Sequence, residues 1–236
     1  MTEETFERSR TLLGDAAFAR LGAVHVAVFG VGGVGSWCAE ALLRTGIRRL
    51  TLVDDDAVAL SNINRQRQAR PDTVGRRKVE VLRDQLLEIV PNARITVRTE
   101  RYTPANAAAF EGLFAEADII IDAIDSVECK AHLMRRCAEC DAVLLSSMGA
   151  ALRTDPTRIR VAPFHKVSGD GLARALRNRF RRAGLALPRH LCVYSEEPPR
   201  KLDHALKGSI MPVTCSFGMA LASLVILSCE AHIYNT

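Results

Sequence analysis

The chain has 236 residues, 48% hydrophobic and 25% charged, which is enough for one large α/β domain with a sizeable core. Its formal charge of +5 is compatible with a polyanionic partner but does not require one. Seven cysteines is an odd number, and residues 1–20 are charged and polar, which argues against a disulfide framework and a secretory leader. We therefore expect free thiols and a cytoplasmic location.

Predicted strands and helices alternate along the first half of the chain. A helical lead-in occupies residues 1–22, and the alternating core occupies residues 23–150. The predicted strands are residues 24–30, 49–54, 93–100, 117–125 and 142–149, and the predicted helices include residues 75–91, 103–114 and 126–140. This order predicts an α/β fold with a Rossmann-like, doubly wound, mostly parallel sheet.

Beyond residue 150 the alternation weakens, so residues 151–236 are predicted to form a smaller extension continuous with the core. It contains one strand within "DPTRIRVAPFHKV", an amphipathic helix at 170–184 and a turn-rich loop, "YSEEPPRK". The apolar run 218–229 is shorter than the roughly 18–20 residues that a membrane span needs. It predicts a buried helix, with attachment to a membrane surface as the alternative.

Four glycines, Gly30, Gly32, Gly33 and Gly35, lie at the first strand-to-helix junction. Without a Cβ the backbone can turn sharply there and approach a phosphate, and the helix N-terminus supplies unpaired N–H groups. The spacing also satisfies the G-x-G-x-x-G dinucleotide pattern. The turn therefore predicts a nucleotide site but leaves ATP, NAD and a simple tight turn open.

The polar connection after the second strand favours ATP. Asp54 ends that strand, where an acid can bind a ribose, and Asp56 of the same acidic run is assigned to the nucleotide site. Asn62, Arg65 and Lys78 follow within one long loop and the start of the next helix. A redox site needs few cations here, whereas an ATP site must stabilise charge on the departing pyrophosphate. Each residue taken singly could also be an ordinary surface residue.

Asp125 ends the predicted strand 117–125, within "IDAIDS", at the edge of the sheet where ligands of open α/β proteins bind. Its carboxylate could hold a Mg²⁺ ion that bridges ATP phosphates. It could also cap the helix that begins there, and one carboxylate can do both.

These residues carry a resemblance to a known superfamily. "GVGGVG", "VDDDAVALSNINRQ", "GRRKVEVL" and "IDAIDS" resemble the adenylating domain of the ubiquitin-activating enzymes and of the ThiF/MoeB-type activators. The resemblance implies that MgATP adenylates a carboxylate, with Asp54 on the ribose and Asp125 on Mg²⁺. It also implies that Asn62, Arg65 and Lys78 hold phosphates and orient the substrate carboxylate. An N-terminal arginine, Arg8 in preference to Arg10, would reach the γ-phosphate across a homodimer interface.

The second half resembles one branch of that superfamily, the tRNA threonylcarbamoyladenosine dehydratases. The stretches that carry this are "SSMGAALRTDPTRIRVAPFHKVSGDGLARALRNRFRRAG" and "CVYSEEPPR", and the resemblance spans residues 8–228. It implies ATP-dependent cyclisation of the modified nucleoside in tRNA, with release of AMP and pyrophosphate. Residues 151–236 would then bind tRNA and contribute to the dimer.

The sequence leaves two other functions open. An activator of a ubiquitin-like or sulfur-carrier protein would have a paired-cysteine zinc site or a thioester cysteine. Cys137 and Cys140 form one C-x-x-C pair without a second, so no zinc is expected. Cys215 is interpreted as a buried thiol, with a catalytic role as the alternative. An NAD-binding module would leave Arg65 and Lys78 without a function.

The helix at 170–184 carries an arginine-rich face. Arg174, Arg177 and Arg181 share it, and no acidic residue lies within 171–191. Because solvated helix faces usually mix charges, we predict that these arginines contact tRNA phosphates. His165 and Lys166 either line the substrate side of the pocket or are ordinary loop residues.

Overall fold

The core of the computed structural model is a seven-stranded sheet, and the structure describes residues 3–201, residue 203 and residues 207–230. The strand order is β3-β2-β1-β4-β5-β7-β6, and every pair of neighbours is parallel except the antiparallel pair β6–β7. The strands are β1 His25–Phe29, β2 Arg49–Val53, β3 Arg94–Arg98, β4 Ile119–Asp122, β5 Val143–Ser147, β6 Ile159–Pro163 and β7 Leu191–Ser195. The predicted doubly wound, mostly parallel α/β fold is confirmed.

Helices cover both faces of this sheet, which explains why every residue of β1 and β4 is buried. The helices are α1 Glu7–Leu13, α2 Asp15–Ala23, α3 Gly35–Thr45, α4 Lys78–Ile89, α5 Glu111–Glu116, α6 Val127–Cys137, α7 Gly171–Arg182 and α8 Met211–Glu230. One face packs under α3, α4 and α8, and the other under α5, α6 and α7. Alternate residues of β1 pack on opposite faces of the sheet. Val26 and Val28 lie in the core under α3, α4 and α8, and Ala27 and Phe29 lie in the core under α5, α6 and α7.

The structure differs from the sequence analysis at three places. The helical lead-in consists of two helices, because Gly14 takes a positive φ of 77° between them. A short 3-10 segment, Pro104–Phe110, replaces most of the predicted helix 103–114. The strand β7 was not predicted at all; it joins the extension to the central sheet between β5 and β6. Residues 1–2, 202, 204–206 and 231–236 of the predicted segments lie outside the described residues.

The last helix is longer than the sequence predicted. α8 has 20 residues and, alone among the described helices, is long and apolar enough to cross a membrane by length and composition. Over half of its apolar stretch, 56%, is buried in the fold, as expected for a core helix. It crosses α3 so closely at Gly218 that a Cβ there would lie 2.6 Å from the carbonyl oxygen of Val34. This contact places the first turns of α8 beside the glycine turn.

Candidate functional site

The candidate site lies where the strand order reverses. β1 and β4 are neighbours at the centre of the sheet, while the strands that follow them in the chain lie on opposite sides. The loops after β1 and β4 therefore diverge at the carboxyl edge and leave a crevice, the usual ligand position in open α/β sheets. The glycine turn follows β1 and the "IDAIDS" loop follows β4, so both predicted motifs meet at this point.

Two glycines of the turn are dictated by close backbone packing. Gly30 has a φ of 88°, and a Cβ there would lie 2.8 Å from the carbonyl oxygen of Ala123. A Cβ on Gly35 would overlap the carbonyl oxygen of Gly30. Only glycine fits at these positions because the turn folds back on itself while it contacts the loop after β4.

The turn presents a row of free N–H groups at the start of α3. Val31 donates to the carboxylate of Asp54 at 2.9 Å. In the part of the chain that the structure describes, the N–H groups of Gly32, Gly33 and Val34 have no acceptor, and no side chain caps α3. Three adjacent donors and the positive end of a helix dipole form an environment that favours an anion such as a phosphate.

Asp54 and Lys78 lie on the β2 side of the crevice. The two oxygens of Asp54 accept hydrogen bonds from the N–H groups of Val31 and Asp56, and burial raises its pKa against the opposing charge of Lys78. Lys78 is the first residue of α4, and its Nζ lies 2.6 Å from Oδ2 of Asp56. The Lys78 side chain is only 7% exposed, whereas that of Asp56 is 60% exposed. A buried ammonium with an exposed partner is well placed to exchange that partner for a phosphate.

Arg65 and Asn62 lie in the long loop between β2 and α4. The stem of Arg65 covers the glycine turn: its Cγ lies 3.2 Å from where a Cβ on Gly33 would be. Its guanidinium donates to Ser61 and Asn64 oxygens at 2.9 and 2.8 Å and has no carboxylate partner among the described residues. Asn62 is buried and accepts from the N–H of Ala59, which closes a turn.

Sequence reasoning missed the residues that hold this loop over α3. The indole of Trp37 donates to the carbonyl oxygen of Arg65 at 2.9 Å, and the amide of Gln68 donates to that of Val31 at 2.8 Å. Arg67 pairs with the buried Glu40 of α3. The loop is thus ordered, and its one signal in the sequence was its unusual length.

The loop after β4 is held by a fully buried ion pair that sequence reasoning also missed. Nζ of Lys130 lies 2.9 Å from Oδ2 of Asp122 and donates to the carbonyl oxygens of Asp122 and Ile124. Burial raises the pKa of Asp122 against the opposing charge of Lys130. Ser126, not Asp125, caps α6 by accepting from the N–H of Cys129. The capping role considered for Asp125 was therefore wrong.

Asp125 fits a divalent cation better than the acidic run after β2 does. Asp54, Asp55 and Asp56 place carboxylate oxygens within 4.8 Å of one another, but both oxygens of Asp54 accept N–H bonds and Asp56 pairs with Lys78. The exposed carboxylate of Asp125 has no hydrogen-bond or ion-pair partner among residues 3–201, 203 and 207–230. A free carboxylate beside an anion-binding turn is a suitable ligand for Mg²⁺.

The N-terminal arginines differ in their surroundings. Arg10 pairs with Asp15, with Nε 2.5 Å from Oδ1. Arg8 is exposed on α1 and has no partner within the described part of this chain. The structure therefore does not bring Arg8 into contact with the glycine turn of its own chain.

The stretches that carried the branch resemblance converge on a second buried ion pair. Arg153 and Asp170 are 3% and 1% exposed, and Nη2 lies 2.9 Å from Oδ2. Arg153 also donates to the carbonyl oxygen of Glu197, while Asp170 caps α7 and accepts from the N–H of Gly149. The pair thus ties β5, α7 and the loop after β7 together beside the carboxyl edge. His165 and Lys166 are exposed.

The predicted arginine face of α7 is only partly available to a ligand. Arg174 and Arg181 are exposed, with Arg181 contacting only Asn178 among the described residues. Arg177 is half-buried and donates to the carbonyl oxygen of Val167 at 2.7 Å. Its guanidinium is already used within the fold, which the sequence analysis did not anticipate.

Five of the cysteines are buried, whereas Cys140 and Cys215 are half-buried, so Cys215 is more exposed than the sequence analysis expected. Burial raises the pKa of Cys215, which lies in the first turns of α8, and this disfavours the thiolate there. At the end of α6 a hydrogen bond from Cys137 lowers the pKa of Cys140 to about 6. Cys137 is buried and Cys140 half-buried.

The alkylation of Cys140 by iodoacetamide is expected to show this difference directly. Because the thiolate is the reacting form, the rate is expected to be half-maximal near pH 6 and level by about pH 7. Mass spectrometry of peptides after timed labelling measures this, with Cys140→Ser as the control. A rate that still rises near the ordinary thiol pKa of about 8.5 would contradict the assignment.

The comparison with known protein families covers nearly the whole chain. The ThiF family model matches residues 6–232. The chain belongs to the ThiF family. The resemblance of the nucleotide-site motifs is thereby confirmed.

The tRNA threonylcarbamoyladenosine dehydratases match both the first and the second half of the chain. The tRNA threonylcarbamoyladenosine dehydratase of Bacillus subtilis is 39% identical over 196 residues, 82% of this chain and 75% of that protein. The Escherichia coli dehydratase TcdA, crystallised with ATP, is 36% identical with a TM-score of 0.90 and covers 98% of this chain and 95% of its own. The E. coli molybdopterin-synthase adenylyltransferase is 37% identical over only 131 residues, 56% of this chain and 51% of that protein.

Proposed function

We propose that this chain is an ATP-dependent tRNA threonylcarbamoyladenosine dehydratase. The observation that carries the proposal is the likeness to TcdA, a protein crystallised with ATP, along 98% of the chain and across both halves of the fold. The free N–H row, Arg65 and Lys78 at the strand-order reversal support a triphosphate at this site.

The proposed reaction has two steps. A carboxylate oxygen of the modified nucleoside attacks the α-phosphorus of ATP, the bond to the β-phosphate breaks, and pyrophosphate leaves. A nucleophile of the same modification then attacks the activated carbonyl carbon, loses its proton and expels AMP. The nucleoside has lost the elements of water, and ATP has become AMP and pyrophosphate. Because the second attack is intramolecular, the enzyme needs no carrier thiol and gains a large effective molarity.

Each predicted site residue has a role that its surroundings support. The N–H groups of the turn Gly30–Gly35 would bind the phosphates, with Asp54 and Asp56 near the ribose. Lys78 and Arg65 would stabilise the charge that develops on the departing pyrophosphate. Asn62, held by its carbonyl oxygen, keeps its amide N–H groups for a phosphate or ribose oxygen.

Asp125 would hold Mg²⁺, which when bound offsets the negative charge of the triphosphate. Its loop is positioned by the Lys130–Asp122 pair rather than by the cap of α6. Zinc is no part of this proposal. The chain itself would contribute one carboxylate that has no partner among the described residues.

The remaining proposals concern partners. The exposed Arg174 and Arg181 would contact tRNA phosphates, in a cytoplasmic setting where tRNA is available. Arg8, which is exposed and unpartnered in its own chain as described, would reach the γ-phosphate bound to the second subunit of a homodimer. Residues 151–236 would supply tRNA binding and part of the dimer contact.

ATP–pyrophosphate exchange with alternative co-substrates tests the proposed function. We expect exchange to depend on tRNA that carries threonylcarbamoyladenosine, with unmodified tRNA as the matched control. Exchange that needs a ubiquitin-like or sulfur-carrier protein and no tRNA would favour a carrier activator instead. Tight NAD binding without ATP binding would favour a redox module.

A further inference from the structure

A cleft between α6 and α7 lies outside the nucleotide site. It has a volume of about 260 Å³ and lies on the face of the sheet opposite α3 and α8. Its rim begins at Glu128, three residues after Asp125, in the first turn of α6. The cleft therefore begins at the edge of the sheet at which the proposed reaction takes place. It runs along α6 and α7 toward the opposite edge, where Arg135, Arg179 and Leu185 lie in or just after the last turns of these helices.

The floor of the cleft is apolar. Ala131 and Phe180 are buried beneath it, and Leu185 remains 44% exposed at its side. An apolar floor of this kind suits the face of a nucleobase, because contact through the face does not depend on which base is present.

The walls of the cleft are basic. Arg135 is exposed and has no carboxylate partner among the residues that the structure describes. Arg179 lies 3.3 Å from Glu128, with both side chains at least half exposed, and such surface pairs contribute little. Nδ1 of His132 lies 2.8 Å from the Tyr102 hydroxyl, and burial together with Arg135 lowers the pKa of the imidazole, which favours its neutral form. Both arginines are therefore available to bind a phosphate.

We propose that this cleft binds an unpaired nucleotide of the RNA substrate that neighbours the modified residue. The base would lie on the apolar floor, and its phosphate would contact Arg135 and Arg179. Arg179 and Arg181 lie on different flanks of α7, because two residues along a helix are about 200° apart. Arg179 faces the cleft, where it contacts Glu128, and Arg181 extends the basic surface on the other flank. The inference rests on the proposed function, since it requires RNA at the neighbouring edge.

The test measures Kd for modified tRNA, without ATP, over a range of salt concentrations. The double variant R135A/R179A is expected to weaken binding about tenfold at physiological salt and to reduce the slope of log K against log salt by about 0.7, the contribution of one phosphate of a single strand. The control R83A/R94A removes the same charge from α4 and β3 at the far edge of the sheet, and we expect no change beyond twofold. Leu185→Ser is expected to weaken binding about threefold with an unchanged salt slope, because it removes apolar contact area for the base and no charge.

Three outcomes separate this inference from its alternatives. If R135A/R179A binds modified tRNA with the affinity and salt slope of the wild type, the cleft inference is overturned. If that variant instead loses binding of free AMP outside the nucleotide site while tRNA binding persists, the cleft serves a mononucleotide and the inference is likewise wrong. If the wild type itself neither binds nor turns over modified tRNA, the proposed function fails first, whatever the variants do.

Discussion

Replacing Lys78 or Arg65 by alanine is expected to lower kcat/KM for the ATP-dependent reaction by about 10²- to 10³-fold. Arg65 covers the glycine turn, and its guanidinium has only neutral acceptors among the described residues. Lys78 pairs with Asp56, whose side chain is 60% exposed. Their charge is therefore available to the pyrophosphate that the proposed reaction would release. The measurement is steady-state AMP formation with modified tRNA in excess.

Matched variants distinguish this role from a structural one. Arg70→Ala removes a cation from the same loop, but that arginine is exposed and paired with Asp72, so we expect activity within twofold of the wild type. Lys78→Arg keeps the charge with a different shape and should retain part of the activity. If Lys78→Ala and Arg65→Ala fold normally and turn over ATP at the wild-type rate, the assignment of both residues is wrong.

Lys130→Met is expected to lower the free energy of unfolding by about 3–5 kcal/mol, because it leaves the carboxylate of Asp122 buried without its ion partner. For a chain of this length that corresponds to a fall in Tm of roughly 6–20 °C. Arg135→Met makes a comparable change at an exposed position of the same helix and should cost under about 0.5 kcal/mol. Thermal and urea unfolding measure both variants.

The double variant D122N/K130M sharpens this prediction. Removing both charges relieves the uncompensated carboxylate, so its stability should recover most of the loss seen in Lys130→Met. A Lys130→Met protein as stable as the wild type would show that the pair does not stabilise the fold. Recovery of stability without recovery of activity would indicate that the pair also positions the Asp125 loop.

The central fold could be predicted because its strands are short apolar runs with glycine, proline or polar residues at their ends. β7 was not predicted because "LCVYS" is only five residues long and is followed by a charged loop. It forms a strand through pairing with β5 and β6, which are distant in the sequence. The break at Gly14 escaped for a similar reason, since a glycine within a helical pattern is often tolerated.

Part of the candidate site could be predicted from the sequence, and part depends on tertiary packing. Asp54, Lys78 and the glycine turn could be grouped from the sequence because parallel strands end at one edge of a sheet. The buried partners could not: a lysine on an amphipathic helix is normally solvated, and only the packed α6 shows that Lys130 is fully buried against Asp122. The path of the loop over Trp37 likewise depends on packing that no periodicity encodes.

Mass spectrometry of nucleosides from a tRNA that carries threonylcarbamoyladenosine, incubated with the purified protein and MgATP, tests the central claim most directly. We predict that the nucleoside becomes lighter by one water, with one AMP formed for each molecule converted, and that omitting ATP prevents the change. An unchanged nucleoside in the presence of protein that binds ATP and tRNA would contradict the account.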